Sequence, residues 1–236
     1  MQTTLSRQVA GTDVARGATS HTVQDVLIID DHPLMCDALA VTLGHAFGLR
    51  RVRTASGLTA AVASIRGEGP PDAVVIDLNL PDVAGTEGVM SLRAIAGQAA
   101  VTVISSDYDP EVVATLLAAG ARGYILKSLP RAKMVKAFEA MWAGETVTPE
   151  GYDPAELGAQ VEEQARLARD FATLTPQQMN ILRLICQGRP NKIISYELSI
   201  AEATVKTHIA AIMSKINVSN RTQVALLANK ARMFMR

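Results

Sequence analysis

The sequence predicts an α/β protein, a doubly wound sheet of five parallel strands, followed by a small all-α domain of four helices. Three observations carry this. Between residues 26 and 145, short apolar runs rich in Val, Ile and Leu alternate with five stretches of helical spacing, the pattern of strands buried on both faces and joined by helical crossovers. Beyond Thr148-Pro149 the strand-like runs stop and only helical spacing remains. The charge divides there too: the chain holds 23 basic and 23 acidic residues, but residues 170–236 hold nine Lys and Arg against three Asp and Glu, a formal +6 that leaves −6 on residues 1–169. An acidic front suits a cation and a basic back suits a polyanion. At 236 residues, 48% hydrophobic and 4% aromatic, the chain can fill two ordinary domains with aliphatic cores.

Residues 1–24 mix Thr, Ser, Gln and Gly without periodicity and read as a mobile leader. The first strand, Val26 to Ile29, runs into Asp30-Asp31-His32-Pro33, and Leu34 to Ala46 has helical spacing, with Pro33 suited to a helix start. Arg51 to Ala55 is the second strand, and Leu58 to Ile65 the second helix. The apolar run before Leu78 is the third strand, ending at Asp77 and broken by Pro81. Gly85 to Ile95 is a weaker helix, because Gly85 and Gly88 lower its propensity. Val101 to Ser105 is the fourth strand. Pro110 to Ala119 is the fourth helix, with Asp109 as its cap. Gly123 to Leu126 is the fifth strand and Pro130 to Trp142 the fifth helix, stopped at Gly144.

These elements give a first domain at 25–147 and a partly helical linker at 148–170. In the linker, Leu157, Val161, Ala165 and Ala168 form a thin apolar stripe, read as a helix lying on a domain surface, with a short dimerising seam as the alternative. The second domain, 171–236, starts with Thr175 as cap and Pro176 at the first helical position, and its four helices end at about Gln187, Leu198, Ile216 and Met233. No run approaches the ~18 apolar residues of a membrane span and no secretory signal is visible, so a soluble cytoplasmic protein is expected. Cys36 and Cys186 lack metal or redox spacing and are expected to stay free.

With strands ordered two-one-three-four-five, the flavodoxin-like order, strand ends bring Asp30, Asp31, Asp77, Ser105 and Lys127 to one crevice. Adjacent carboxylates repel unless a cation sits among them, and oxygen donors of this kind suit Mg2+. Phosphoryl transfer to Asp77 would then find its charge spread over the metal and Lys127. His32 reads as a loop residue, since magnesium prefers oxygen. In the second domain, a short helix, a tight turn and a longer helix bearing Lys206 and Thr207 make a helix-turn-helix whose second member lies in the major groove of double-stranded DNA.

Residues 25–145 resemble the receiver domain of bacterial two-component response regulators. The resemblance makes Asp77 the phospho-acceptor, Asp30 and Asp31 the acidic pair, Asn79 a metal ligand through its carbonyl, Ser105 and Tyr124 the switch residues, and Lys127 the phosphate-reading lysine. It implies that Tyr124 moves inward on phosphorylation. From Leu174 onward the chain resembles LuxR-type DNA-binding domains, through Leu174-Thr-Pro, Gly188, Asn191-Lys192, Ala203-Thr-Val-Lys-Thr-His208 and Asn220-Arg-Thr222. The pair resembles the NarL/FixJ response regulators. That implies a sensor histidine kinase, DNA, a second copy of the chain and RNA polymerase as partners. It also implies DNA contacts by Lys192, Thr204, Lys206, Thr207, His208, Lys215, Asn220 and Arg221, with Thr204 alternatively a cap and Val205 and Ile209 in the core.

Ala210-Ala211 make the base-reading surface thin, and Gln178, Asn180, Pro190 and Ile193 depart from the family pattern. Before phosphorylation the receiver is expected to cover or constrain the third helix of this domain. The chain is expected not to be an enzyme. Two rivals stay open: DNA binding independent of phosphorylation, and an aspartyl-phosphate phosphatase, which would need a general acid where Asn79 stands.

Overall fold

The computed structural model describes residues 23–82, 86–231 and 233, so the leader at 1–22, Gly85 and the end of the chain lie outside the described residues. Five strands, β1 (Asp25–Ile29), β2 (Arg51–Ala55), β3 (Ala73–Asp77), β4 (Ala100–Ser105) and β5 (Gly123–Leu126), form one sheet in the order β2-β1-β3-β4-β5. Every pairing is parallel. Five helices follow the strands: α1 (Pro33–Phe47), α2 (Leu58–Glu68), α3 (Glu87–Ile95), α4 (Pro110–Ala118) and α5 (Arg131–Trp142).

Side chains alternate across a strand, and the sheet buries both sets. Val26, Ile28, Val75, Ile104 and Ile125 pack with Leu39 and Leu43 of α1 and Met134 and Phe138 of α5. Leu27, Ile29, Val74, Ile76, Val101 and Val103 face the side of α2, α3 and α4. Gly123 lacks a side chain because a Cβ there would stand 2.3 Å from Met141 Sδ and 2.8 Å from the Val147 carbonyl.

The termini of the helices follow local chemistry. Asp109 accepts N–H bonds from Glu111 and Val112 at the start of α4, α1 ends at Gly48 with φ 60, and α5 stops before Gly144 with φ 104. The second helix runs one turn past Ile65, and its final Glu68 accepts from Ser64 at 2.8 Å and pairs with Arg51.

After a 3-10 turn at Pro154–Glu156 comes α6 (Ala159–Ala172), which crosses the expected linker end at 170. Val161, Ala165 and Ala168 form the buried stripe, joined by Leu167 and Phe171. The helix lies on α4 and α3 and also meets the last helix of the chain.

The remaining helices are α7 (Pro176–Cys186), α8 (Asn191–Glu197), α9 (Glu202–Lys215) and α10 (Arg221–Lys230). Thr175 and Gln178 form a reciprocal capping box at α7, which explains Gln178 as a helix-start residue. The last helix ends three residues earlier than expected, because the chain turns after Ala231 and Met233 N–H bonds back to the Ala228 carbonyl. Met233 is buried, and its sulfur accepts from Thr86 Oγ1 at 3.7 Å. One apolar cluster runs from the α2–α4 side of the sheet through α6 into α7–α10.

Candidate functional site

Four strand ends meet at the C-terminal edge of the sheet. Asp30 and Asp77 are 2% and 1% exposed and Ser105 is fully buried, because β1, β3 and β4 are interior strands. Lys127, one residue past β5, reaches across β4: its ammonium stands 2.8 Å from Asp30 Oδ2 and 3.0 Å from Asp77 Oδ2. Burial opposes the charge on Lys127, but hydrogen bonds to Asp30 and Asp77 outweigh it and hold the pKa above its usual value. The lysine is a fixed cation.

Asp77 Oδ1 is buried and has no hydrogen-bond partner among the described residues. A buried carboxylate oxygen without a donor is costly. Ligand atoms of Asp30, Asp31, Asp77 and also His32 lie within 4.8 Å of one another. Three carboxylates against one ammonium leave negative charge uncompensated, so the donor set fits a hard divalent cation. Asn79 is exposed in the turn just after β3, beside these groups in sequence.

Ser105 Oγ accepts from the Asp107 N–H at 3.2 Å. Tyr124 is 2% exposed and its hydroxyl donates to the Asp107 carbonyl at 2.6 Å. Burial first, then nearby carboxylates, raise the phenol pKa against a lowering bond to Ser105. The ring is therefore already inside, where the sequence reading had it arriving only after phosphorylation. The hydrogen bond to Asp107 satisfies its polar end there.

The second site is the outer face of α8 and α9. Ser199, with φ 53, makes the turn between them. Val205 and Ile209 are buried in the core, which points Thr204, Lys206 and Thr207 outward, all exposed, with His208 half-buried and Lys192 exposed on α8. Lys206 pairs with Glu202 at 3.3 Å. The cap position of α9 is Ala201 and no side chain caps it, so Thr204 does not serve as a cap.

Three of the expected DNA contacts have internal tasks. The Lys215 ammonium donates to the Thr173 carbonyl at 2.7 Å and to Gln178 Oε1 at 2.9 Å. Asn220 caps α10 by accepting from Gln223 N–H at 2.9 Å. Arg221 donates to Asn191 Oδ1 at 2.8 Å and to the Arg189 carbonyl, fixing the start of α8. Each joins segments 30 or more residues apart or ends a helix, which spacing alone does not reveal.

The receiver leaves Glu202, Lys206 and Thr207 of α9 exposed among the described residues. It meets the second domain through α3 and α7, where Arg183 pairs with the buried Glu87, and through Thr86 and Met233. Lys230 also pairs with Glu163 of α6 at 2.8 Å. These pairs, like the cap that Asp82 gives α2, have no sequence motif.

Comparison with known proteins identifies the family of each domain. Residues 26–139 match the family model for the response regulator receiver domain, and residues 172–228 match that for bacterial regulatory proteins of the luxR family. The nitrate/nitrite response regulator protein NarL of Escherichia coli K12 is 32% identical over 209 residues, covering 89% of this chain and 96% of that protein. The transcriptional regulatory protein LiaR of Bacillus subtilis is 32% identical over 205 residues, covering 87% and 96%. Among solved structures, promoter-bound RcsB from Salmonella enterica serovar Typhimurium overlays with a TM-score of 0.50 at 20% identity, covering 88% and 98%, a likeness of fold.

Proposed function

The chain belongs to the response regulators that join a receiver domain to a luxR-type DNA-binding domain, and from that premise we propose that Asp77 is the phosphorylated residue through which DNA binding is controlled. The family acts in phosphorylation-dependent transcription control and not as enzymes. The observation that carries the assignment is the partnerless Asp77 Oδ1, held in a carboxylate cluster while Lys127 fixes the other oxygen.

Asp30, Asp31 and Asp77, with the Asn79 carbonyl, would hold Mg2+, which supplies positive charge to the oxygens of the phosphoryl group. A carboxylate oxygen of Asp77 attacks the phosphorus of the phosphohistidine on a sensor kinase, and the histidine leaves. Lys127 then exchanges its bond to Asp77 for one to a phosphoryl oxygen, and Ser105 Oγ, now held by the Asp107 N–H, turns to donate to another. Because Asp107 also accepts from Tyr124, the β4–α4 loop moves with that hydroxyl. Reversing a population from mostly inactive to mostly active needs about 5.5 kcal/mol, the equivalent of about three charge-assisted bonds of roughly 2 kcal/mol each.

The loop leads into α4, on which α6 lies, so repacking α4 reaches the DNA-binding domain through α6 and the Glu87–Arg183 pair. The receiver thus constrains the second domain by its α7 and α10 side, while Lys192, Thr204, Lys206, Thr207 and His208 remain the DNA-facing set. A homodimer on double-stranded DNA follows from the thin face of α9, which offers one monomer few base contacts. RNA polymerase is then the partner at regulated promoters, and the cytoplasm is the compartment. Among the described residues no helix is long and apolar enough to cross a membrane.

DNA fragments selected from the genome with beryllofluoride-treated protein test this. They are expected to bind tighter with beryllofluoride than without, and Asp77→Asn removes the difference. Equal affinity in all arms would favour DNA binding independent of phosphorylation.

A further inference from the structure

His32 follows the acidic pair, and its ring stands inside the carboxylate cluster. Its Nδ1 lies 2.9 Å from Asp31 Oδ1 and 3.2 Å from Asp30 Oδ1. These are the distances of hydrogen bonds from His32 to the carboxylates, and they match the about 3.0 Å between neighbouring ligands of an octahedral ion with bonds of ~2.1 Å, so a divalent ion that takes the place of the Nδ1 proton finds donors at the spacing of adjacent corners. The backbone holds the ring there. The His32 N–H donates to Asp30 Oδ1 at 2.8 Å, and its carbonyl accepts from Met35 and Cys36 at the start of α1. Asp77 Oδ1, buried and partnerless, points to an ion within the same set of donors. The 71% exposure of the imidazole leaves that side of the site open to water for the remaining corners.

We infer that His32 Nδ1 is a ligand for transition-series divalent ions at the Asp30, Asp31 and Asp77 site. This rests on the magnesium reading of that site and adds a nitrogen donor to it. Imidazole suits Mn2+, Co2+ and Zn2+, whereas Mg2+ prefers oxygens and keeps several waters. The site would therefore take Mg2+ through its oxygens alone and bind the borderline ions more tightly through His32. Its occupancy would then follow the balance of these metals.

The test is Mn2+ bound to the full chain, read by pulsed electron paramagnetic resonance and by titration calorimetry. A nitrogen coupling in the wild type that disappears in His32→Ala is expected, with Mn2+ and Co2+ affinity falling at least tenfold and Mg2+ affinity changing less than about twofold. Mn2+ that binds, is displaced by Mg2+ and is lost in Asp77→Asn, yet shows no nitrogen coupling, overturns the role of His32 and leaves the magnesium reading standing. Failure of both ions to bind overturns both.

Discussion

Gly57 shows how one missing side chain can be required by a distant residue. Its φ of 174 is open to any amino acid, so backbone strain is not the reason. A Cβ there would stand 2.8 Å from both carboxylate oxygens of Asp82, and those oxygens accept the N–H groups of Leu58 and Thr59 at 3.0 and 2.9 Å. Asp82 thus caps α2 from the loop after β3. Replacing a cap by Ala costs about 1 kcal/mol, and Asp82→Ala is expected to lower denaturant stability by that amount, with Gly57→Ala acting in the same direction by displacing the carboxylate. Burial raises the Asp82 pKa, but the two backbone donors outweigh it and the net shift is downward. The cap's contribution is then complete above the ordinary carboxylate pKa near ~3.9 and is lost as pH falls through the lower folded value. Acid unfolding curves of wild type and Asp82→Ala should converge below that range, and curves that stay parallel there would contradict the assignment. Asp30, Asp31, Asp77, Ser105 and Lys127 were legible because each ends a strand, whereas Asp82 was not, since its partners lie more than 20 residues away.

At the scale of elements, α6 and α7 join the two halves. The α6 stripe of Val161, Ala165 and Ala168 was visible in the sequence, but Leu167 and Phe171, buried on the same helix, belong to a seam that only the folded arrangement creates. The turn from α6 to α7 is held by Lys215, through the Thr173 carbonyl and Gln178. Lys215→Ala should therefore destabilise the second domain by about 1 kcal/mol and leave the salt dependence of DNA binding unchanged. Lys206→Ala should reduce the log-log salt slope by about 1 with little effect on stability. A Lys215→Ala variant with normal stability and a reduced slope would return that lysine to the DNA face. The Glu87–Arg183 pair joins α3 to α7, and Arg183→Ala leaves a buried carboxylate without its cation. Loss of a charge-assisted bond worth roughly 2 kcal/mol shifts docking about 30-fold toward separation. Small-angle scattering should then give a larger radius of gyration, and an unchanged radius would show that the pair does not hold the domains together.

Across the whole molecule, the alternation of strand and helix located the sheet, because parallel strands buried on both faces need continuous apolar runs, and the order two-one-three-four-five taken for those strands is the observed one. The charge split separated the acidic front that holds the carboxylate cluster from the basic luxR-type back. What remained hidden depends on contacts between distant segments: Tyr124 already turned inward onto Asp107, Arg221 spent on α8, and α7 meeting the receiver while Lys206 and Thr207 of α9 are exposed. In the proposed mechanism phosphorylation acts on DNA binding through α4 and α6, and every later step depends on Asp77 carrying the phosphoryl group. The most direct measurement treats the full chain with a small acyl phosphate and Mg2+ and locates the label by peptide mass spectrometry. A hydroxylamine-sensitive phosphoryl group on the peptide holding Asp77, absent without Mg2+ and absent in Asp77→Asn, is the predicted result, whereas a label that survives Asp77→Asn or sits on another residue would contradict it.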